Sequence, residues 1–567
     1  MIYIAIGIFF VLAAIWVNMY FNEKTLQKRI YYQIKNSWGK IPRTEYTEER
    51  FDAIKKYYES VKKEQTDIDD ITWNDIDMDT FFLMLNQTSC SMGEEYLYAL
   101  LRQINTSKEE LEERERVISF FQKEEKKRIS LQSAIRKMGK LKIISLYQYI
   151  NRTDEMKKHN PLPHYCMAAS IPISLLLILF YQQLHLPITV GIVALVVCLL
   201  NNIVQYYRRK AEIEPFFSFF GYILGLLKCS DEITDLDIPE LNGYLEELKH
   251  ISKKFKKFRR GAFLVVIKSG DSMGGAADFI LDYIRMIFHI DLIKFDSMLL
   301  ELRKHQDLLN RMYQNVGFLD SMIAVASFRT YLEDDYCIPE IAWNNKPSIF
   351  MEEVYHPMIE EPVKNTIQSD QCVLITGSNA SGKSTFIKTV ALNVILAQTI
   401  HTAMCSRYQC SQFKVYSSMA LRDNLLGNDS YYIVEIKSLK RILDQIEDDI
   451  PTLCFVDEVL RGTNTLERIA ASSQILKSFA GKNALCFAAT HDLELTHILE
   501  KYYENYHFQE EIKDNQVLFN YQLQKGRAVS RNAIKLLAML GYDENITINA
   551  EKSVNEFLET GSWNVLS

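Results

Sequence analysis

The octapeptide GSNASGKS, Gly377 to Ser384, carries the spacing G-x-x-x-x-G-K-[ST]. Glycines at its first and sixth positions, Gly377 and Gly382, let the backbone wrap an anion with its own N–H groups, and the lysine adds a mobile point charge. The surroundings agree with that chemistry. The apolar run CVLIT ahead of it predicts a buried strand and STFIKTVALNVILAQ behind it predicts a helix, so the loop delivers an anion to a helix N-terminus. Gly377, Ser378, Asn379, Ala380, Ser381, Gly382, Lys383, Ser384 and Thr385 are therefore the candidate nucleotide-binding residues, with Lys383 on the β- and γ-phosphates and the Ser384 hydroxyl on Mg²⁺.

Two further strand ends supply what phosphoryl transfer to water requires. TLCFVDEVLRGTNT reads as a hydrophobic strand ending in two acids, Asp457 for the metal and Glu458 as the base on the attacking water. NALCFAAT ends at Thr490-His491, which places His491 at the C-terminal strand edge as a polar sensor of the γ-phosphate. ATP and Mg²⁺ are the ligands this set expects, and ATP hydrolysis is the reaction.

The elements around these motifs make up a chain of 567 residues, long enough for several domains. A formal net charge of −7 excludes a protein that coats nucleic acid with its whole surface and leaves room for local basic patches. Ten cysteines without a C-x-x-C pair, several inside apolar runs, suit buried thiols in a reducing compartment rather than disulfides or zinc.

Ile2 to Met19 is uncharged, apolar but for Asn18, and long enough to cross a bilayer as a helix. No charge precedes it and NMYFNEKTLQKR follows, so a retained anchor is expected over a cleaved signal. Tyr165 to Tyr207 is a second apolar block, broken at QQLHLP into a hairpin, which brings the expected spans to three. Basic residues flank the cytoplasmic ends: Lys24, Lys28 and Arg29, then Lys157 and Lys158, then Arg208, Arg209 and Lys210. This predicts a multi-pass protein of the inner or plasma membrane with its ATP site in the cytoplasm.

Between the anchors and the loop the pattern is helical. From Arg285 to Leu332 it predicts one long lever helix, while SGDSMGGAADF (Ser269 to Phe279) reads as a turn. KKFKKFRR, Lys253 to Arg260, interleaves six basic residues with two phenylalanines; a solvated helix face, an anionic-lipid contact and a nucleic-acid contact are all open to it.

The order GSNASGKST, NLLGNDSYYIVEIKSLKRIL, VDEVLRGTNT, THDLELT resembles the ATPase domain of the MutS family of mismatch-repair proteins. SMGEEYLYALLRQI and LDSMIAVASFRTYLEDDYCIPEI followed by YHPMI are similar to that family's helical core and junction. The resemblance implies an α/β P-loop NTPase of ABC/MutS type after an all-α core, and a homodimer in which each ATP is closed over by Ser430 of the second copy. It also implies DNA as a partner.

Three departures stand out. The stretch between the first anchor and the helical core has no room for a mismatch-reading domain, Leu460 stands where the family usually has glycine, and the segment before Ser430 lacks the usual Ser-Gly lead. The expected layout is an anchor at 1–21, a linker at 22–86, core at 87–160 and 208–345 around a hairpin at 161–207, and the ATPase domain at 346–567. A membrane-anchored, dimerising ATPase acting on DNA is the first expectation. A transporter-like or membrane-remodelling ATPase working on the lipid bilayer or a membrane protein partner is the second.

Overall fold

The structure is a computed structural model. It describes residues 2–565 except 44, 64–65, 105, 142–144, 152–160, 263–264, 266–275, 345, 379–380, 420–430, 461–462, 514–515, 529–533, 535–536 and 538–540. Of residues 2–16, 18–19, 215, 276–281, 431, 511–513, 516–517 and 558 it describes the backbone alone. The chain divides into two units: Met1–Val61, Leu85–Ala99 and Arg116–Tyr331 form the first, and Lys62–Met84, Leu100–Glu115 and Leu332–Ser567 the second.

The first unit is helical. Helix α1 (Ile2–Ser37) runs without interruption from the apolar stretch into EKTLQKR, because nothing ahead of Gly39 breaks it; Gly39, at φ 67°, then turns the chain. Ile30 and Ile34 of α1 pack on Ile129 of α2 (Glu125–Arg136), and the Arg128 guanidinium sits 3.4 Å from the centre of the Trp38 ring.

The apolar hairpin forms α3 (Leu162–Leu179) and α4 (Ile188–Ile213), the two helices among the described residues that are long and apolar enough to cross a membrane. That is two such helices, not three: the Ile2–Met19 stretch is part of α1, and nearly all of its side chains lie outside the described residues. Only 17% and 11% of the apolar windows of α3 and α4 are buried, and Leu179, Val193, Leu200 and Val204 stand outward, the reverse of a soluble core helix.

The lever expected over Arg285 to Leu332 is divided. One helix ends at Phe288, α5 spans Ile290–Lys304 and α6 spans Gln306–Leu332. The first break is made by His289, left-handed at φ 52° and wholly buried, whose Nδ1 lies 2.8 Å from Nδ1 of His164 and whose Nε2 lies 3.0 Å from the Asn202 carbonyl. A tertiary contact overrides the helical pattern there. Most of Ser269 to Phe279 lies outside the described residues.

In the basic run Lys253 to Arg260, Phe255 and Phe258 are buried and Arg259 is held by Asp231 and the Leu227 carbonyl. The phenylalanines are core residues and offer no face to a base, while the lysines are exposed.

Glu95 is buried in this unit and accepts hydrogen bonds from the Tyr313 hydroxyl at 2.9 Å, the Ser145 hydroxyl at 3.0 Å and the Leu146 N–H at 3.1 Å. Burial outweighs those bonds and pushes its carboxyl from near 4.5 to about 8. The native state then holds a proton that the unfolded chain releases, so this group costs stability as pH rises from about 4.5 to about 8, and the loss levels off above that. Glu95→Gln is expected to flatten the profile by up to about 1.4 kcal/mol per pH unit across that window. Urea midpoints of both proteins across pH check it, and parallel profiles refute it.

The second unit is α/β. Strands β1 (Glu340–Ala342), β2 (Ile349–Val354), β3 (Asn365–Ser369) and β5 (Arg407–Ser411) form a four-stranded sheet in the order β1-β5-β2-β3. A six-stranded sheet runs β10-β9-β4-β8-β7-β6, from β4 (Cys372–Thr376), β6 (Lys414–Ser418), β7 (Thr452–Asp457), β8 (Ala484–Thr490), β9 (Tyr503–Lys513) and β10 (Gln516–Lys525). All its pairings are parallel except β9 with β10. CVLIT and ALCFAAT are buried at every position, as a sheet covered on both faces demands. The connections are α7 (Lys383–Thr399), α8 (Tyr431–Asp444) and α9 (Thr465–Ala480).

Residues 62–84 also belong to this unit. The Ser417 hydroxyl donates to Asp75 at 2.6 Å, the Met419 N–H donates to the same carboxylate at 2.9 Å, and the Ser417 N–H donates to the Thr72 hydroxyl at 3.0 Å. Arg441 of α8 pairs with Asp69 at 2.6 Å.

Candidate nucleotide-binding site

Parallel pairing of β4, β7 and β8 brings the loop after β4, the acids at the end of β7 and the histidine after β8 to one sheet edge. Gly377 has φ 150°, and a Cβ there would lie 2.8 Å from Ser381 Oγ and 2.9 Å from the Phe508 carbonyl. Gly382, at φ 105°, opens α7. Both positions need a residue without a side chain.

Lys383 is almost fully buried, and its Nζ donates to the carbonyls of Gly377 and Ser378, each at 2.8 Å. The Ser384 hydroxyl donates to Asp457 Oδ2 at 2.6 Å. His491 Nε2 is 2.8 Å from Glu458 Oε1 and 3.4 Å from Lys383 Nζ. A single ring nitrogen cannot serve both, and the shorter contact is an Nε2–H donating to the carboxylate. Ser381 and Thr385 line the same cavity, of about 790 Å³. Asn379, Ala380 and Ser430 lie outside the described residues.

Asp457 Oδ1 is buried and has no hydrogen-bond partner among the described residues, while Oδ2 meets the Ser384 hydroxyl. This is a pair of hard oxygen donors with unused capacity, the chemistry that suits a small divalent cation with most of its shell left to water and phosphate.

Several residues of the site were not legible in the motifs. The Ser378 hydroxyl donates to Glu510 of β9, and the Leu460 N–H to Glu435 of α8. His356, after β2, faces the cavity with Asn365 and Tyr521. Burial, helped by the Lys388 charge, pushes His356 down to about 4, so its ring is neutral at physiological pH, and the Met358 N–H reaches its Nδ1 at 3.4 Å. The His356-Pro357 dipeptide closing a strand was the available signal. Glu510 and Tyr521, on a polar hairpin far along the chain, gave none.

The turn after β7 carries two left-handed non-glycine residues, Glu458 at φ 54° and Leu460 at φ 60°. The position where glycine was expected therefore does have a backbone that favours glycine. Leu460 nevertheless packs in the cluster with Leu439, Leu476 and Phe479. Relief of the left-handed strain recovers about 1–2 kcal/mol, against about 2–5 kcal/mol for emptying a buried leucine site. Leu460→Gly is therefore expected to destabilise this unit by about 1–3 kcal/mol, readable as a lowered urea midpoint, and an unchanged or raised midpoint would show that strain dominates.

Loop, acids, histidine and sheet order define a P-loop ATPase domain. Residues 373–558 match the model of MutS domain V. It is 28% identical over 288 residues to the MutS protein homolog 4 of Homo sapiens, covering 47% of this chain and 30% of that protein. It is 31% identical over 250 residues to the DNA mismatch repair protein MutS of Aquifex pyrophilus, covering 41% and 28%. The chain thus spans less than a third of the length of the curated relatives it matches.

Proposed function

We propose that this chain hydrolyses Mg·ATP as a dimer, that it is held at a membrane by its apolar helices, and that DNA is what its ATP cycle acts on. The observation that carries the reading is the single constellation of Lys383, Ser384, Asp457, Glu458 and His491 at the end of three parallel strands. In this reading Lys383 turns from the loop carbonyls to the β- and γ-phosphates, and Ser384 and Asp457 hold Mg²⁺. The metal, when bound, offsets charge on the phosphate oxygens. Glu458 takes the proton of the attacking water, with His491 steering its carboxylate. Ser430 of a second copy closes the site, which makes turnover depend on pairing. DNA enters because the relatives matched include proteins named for DNA mismatch repair.

A second reading is favoured by one observation, the outward apolar faces of α3 and α4: an ATPase whose load is the bilayer or a membrane protein. ATP turnover by the detergent-solubilised full chain, with duplex, branched and single-stranded DNA and with liposomes, separates the two. Stimulation by DNA supports the first reading, and stimulation by liposomes alone replaces it with the second.

A further inference from the structure

The helical unit has an open-sided cavity of about 1340 Å³ at the base of α1. Arg29, Lys40, Arg43, Arg136 and Lys137 line it, with Arg50 and Lys140 beside them, and among the described residues no aspartate or glutamate is in the lining. In a chain of formal net charge −7 this is a strong local reversal of sign. Arg50 and Lys140 share one carboxylate, Glu94, at 3.0 and 2.8 Å, and Lys137 pairs with Glu232 at 2.7 Å. Among the described residues Arg29, Lys40, Arg43 and Arg136 have no such partner.

Two further polar groups on the wall are unsatisfied: the Ser89 hydroxyl, in a residue only 8% exposed, and Nε of Arg50 are buried without hydrogen-bond partners among the described residues. Unpaired buried donors beside converging guanidinium groups are costly unless an acceptor-rich anion meets them. Leu26, Ile30, Ile41 and Pro42 give the cavity an apolar side. The apolar stretch of α1 ends at Met19, seven residues before Leu26, or roughly 10 Å at the rise of a helix.

We propose that this cavity is a second phosphate site, separate from the nucleotide loop, which binds an anionic phosphate group through Arg29, Arg43, Arg136 and the Ser89 hydroxyl. Two sources share that chemistry, the headgroup of an anionic phospholipid and a soluble phosphate compound. The apolar side and the course of α1 favour the lipid. The site requires neither ATP turnover nor DNA.

The test is calorimetric titration of the full chain in non-ionic detergent, in a Lys383→Ala background so that the nucleotide loop takes no phosphate. The probes are dihexanoyl phosphatidylglycerol, dihexanoyl phosphatidylcholine, inorganic pyrophosphate and a 30-base-pair DNA duplex. Phosphatidylglycerol is expected to bind and phosphatidylcholine not to. Arg29→Gln/Arg43→Gln/Arg136→Gln is expected to weaken binding by about tenfold or more, while the charge-matched Lys24→Gln/Lys28→Gln/Lys35→Gln on α1 changes it less than about twofold. Ser89→Ala, which alters no charge, is expected to weaken it severalfold. Binding of pyrophosphate with the same variant pattern, without phosphatidylglycerol, assigns the site to a soluble phosphate. The proposal is overturned if neither anion binds, if the two triple variants weaken binding equally, or if only a 30-base-pair duplex shows the pocket-variant loss.

Discussion

Glu458→Gln is expected to lower steady-state ATP turnover by about two to four orders of magnitude while ATP stays bound. The amide keeps the size of the carboxylate, and its oxygen still accepts from His491 Nε2, 2.8 Å away in the parent. Lys383, Ser384 and Asp457, which bind phosphate and metal in the proposed cycle, are untouched. What is lost is the proton acceptor for the attacking water. The backbone at position 458 is left-handed, φ 54°, and glutamine is no worse there than glutamate, so folding is not the variable. Nucleotide retained after gel filtration and turnover at saturating ATP are the two measurements. The retained nucleotide should be ATP rather than ADP, and the protein carrying it should elute as a dimer. Turnover within about threefold of the parent removes Glu458 from the role of base.

Lys383→Ala is expected to weaken ATP binding by about one to four orders of magnitude, the effect of losing one or two charge-assisted hydrogen bonds at about 1.5–3 kcal/mol each. In the structure Nζ bonds the Gly377 and Ser378 carbonyls. Its removal frees two acceptors at the mouth of a cavity, where water can take over, and alanine is a good residue for the first turn of α7. The thermal midpoint should therefore stay close to the parent's while affinity falls. Titration with a fluorescent ATP analogue beside a melting curve checks both, and affinity within about threefold of the parent is incompatible with a phosphate-binding role for this lysine.

How much of this was readable in advance follows from how local each determinant is. The loop Gly377 to Ser384 and the acids Asp457 and Glu458 each lie within one strand-to-turn segment, and spacing alone specifies such segments. His491 was readable as the residue just past a buried strand. The histidine break at 289 was not, because it depends on His164, 125 residues earlier in the chain, and a helical periodicity carries no trace of that partner. Glu510 meets the Ser378 hydroxyl and Tyr521 lines the cavity only because β9 pairs beside β4 and β10 beside β9, a strand order that no local pattern encodes. Leu460 is the mixed case. The sequence marked an unusual residue, and the structure supplies both the left-handed backbone that makes it unusual and the apolar cluster that retains it.

The segment at 62–84 bears on how this protein can be dissected. Asp75 and Thr72 receive the donors at the end of β6, and Asp69 neutralises Arg441, so a fragment beginning at 346 would strip three hydrogen bonds from the strand that borders the sheet. The engine that handles nucleotide is completed by residues encoded more than 300 positions upstream, and a working excised version must carry that N-terminal strap with it, supplied in the same chain or added back as a peptide.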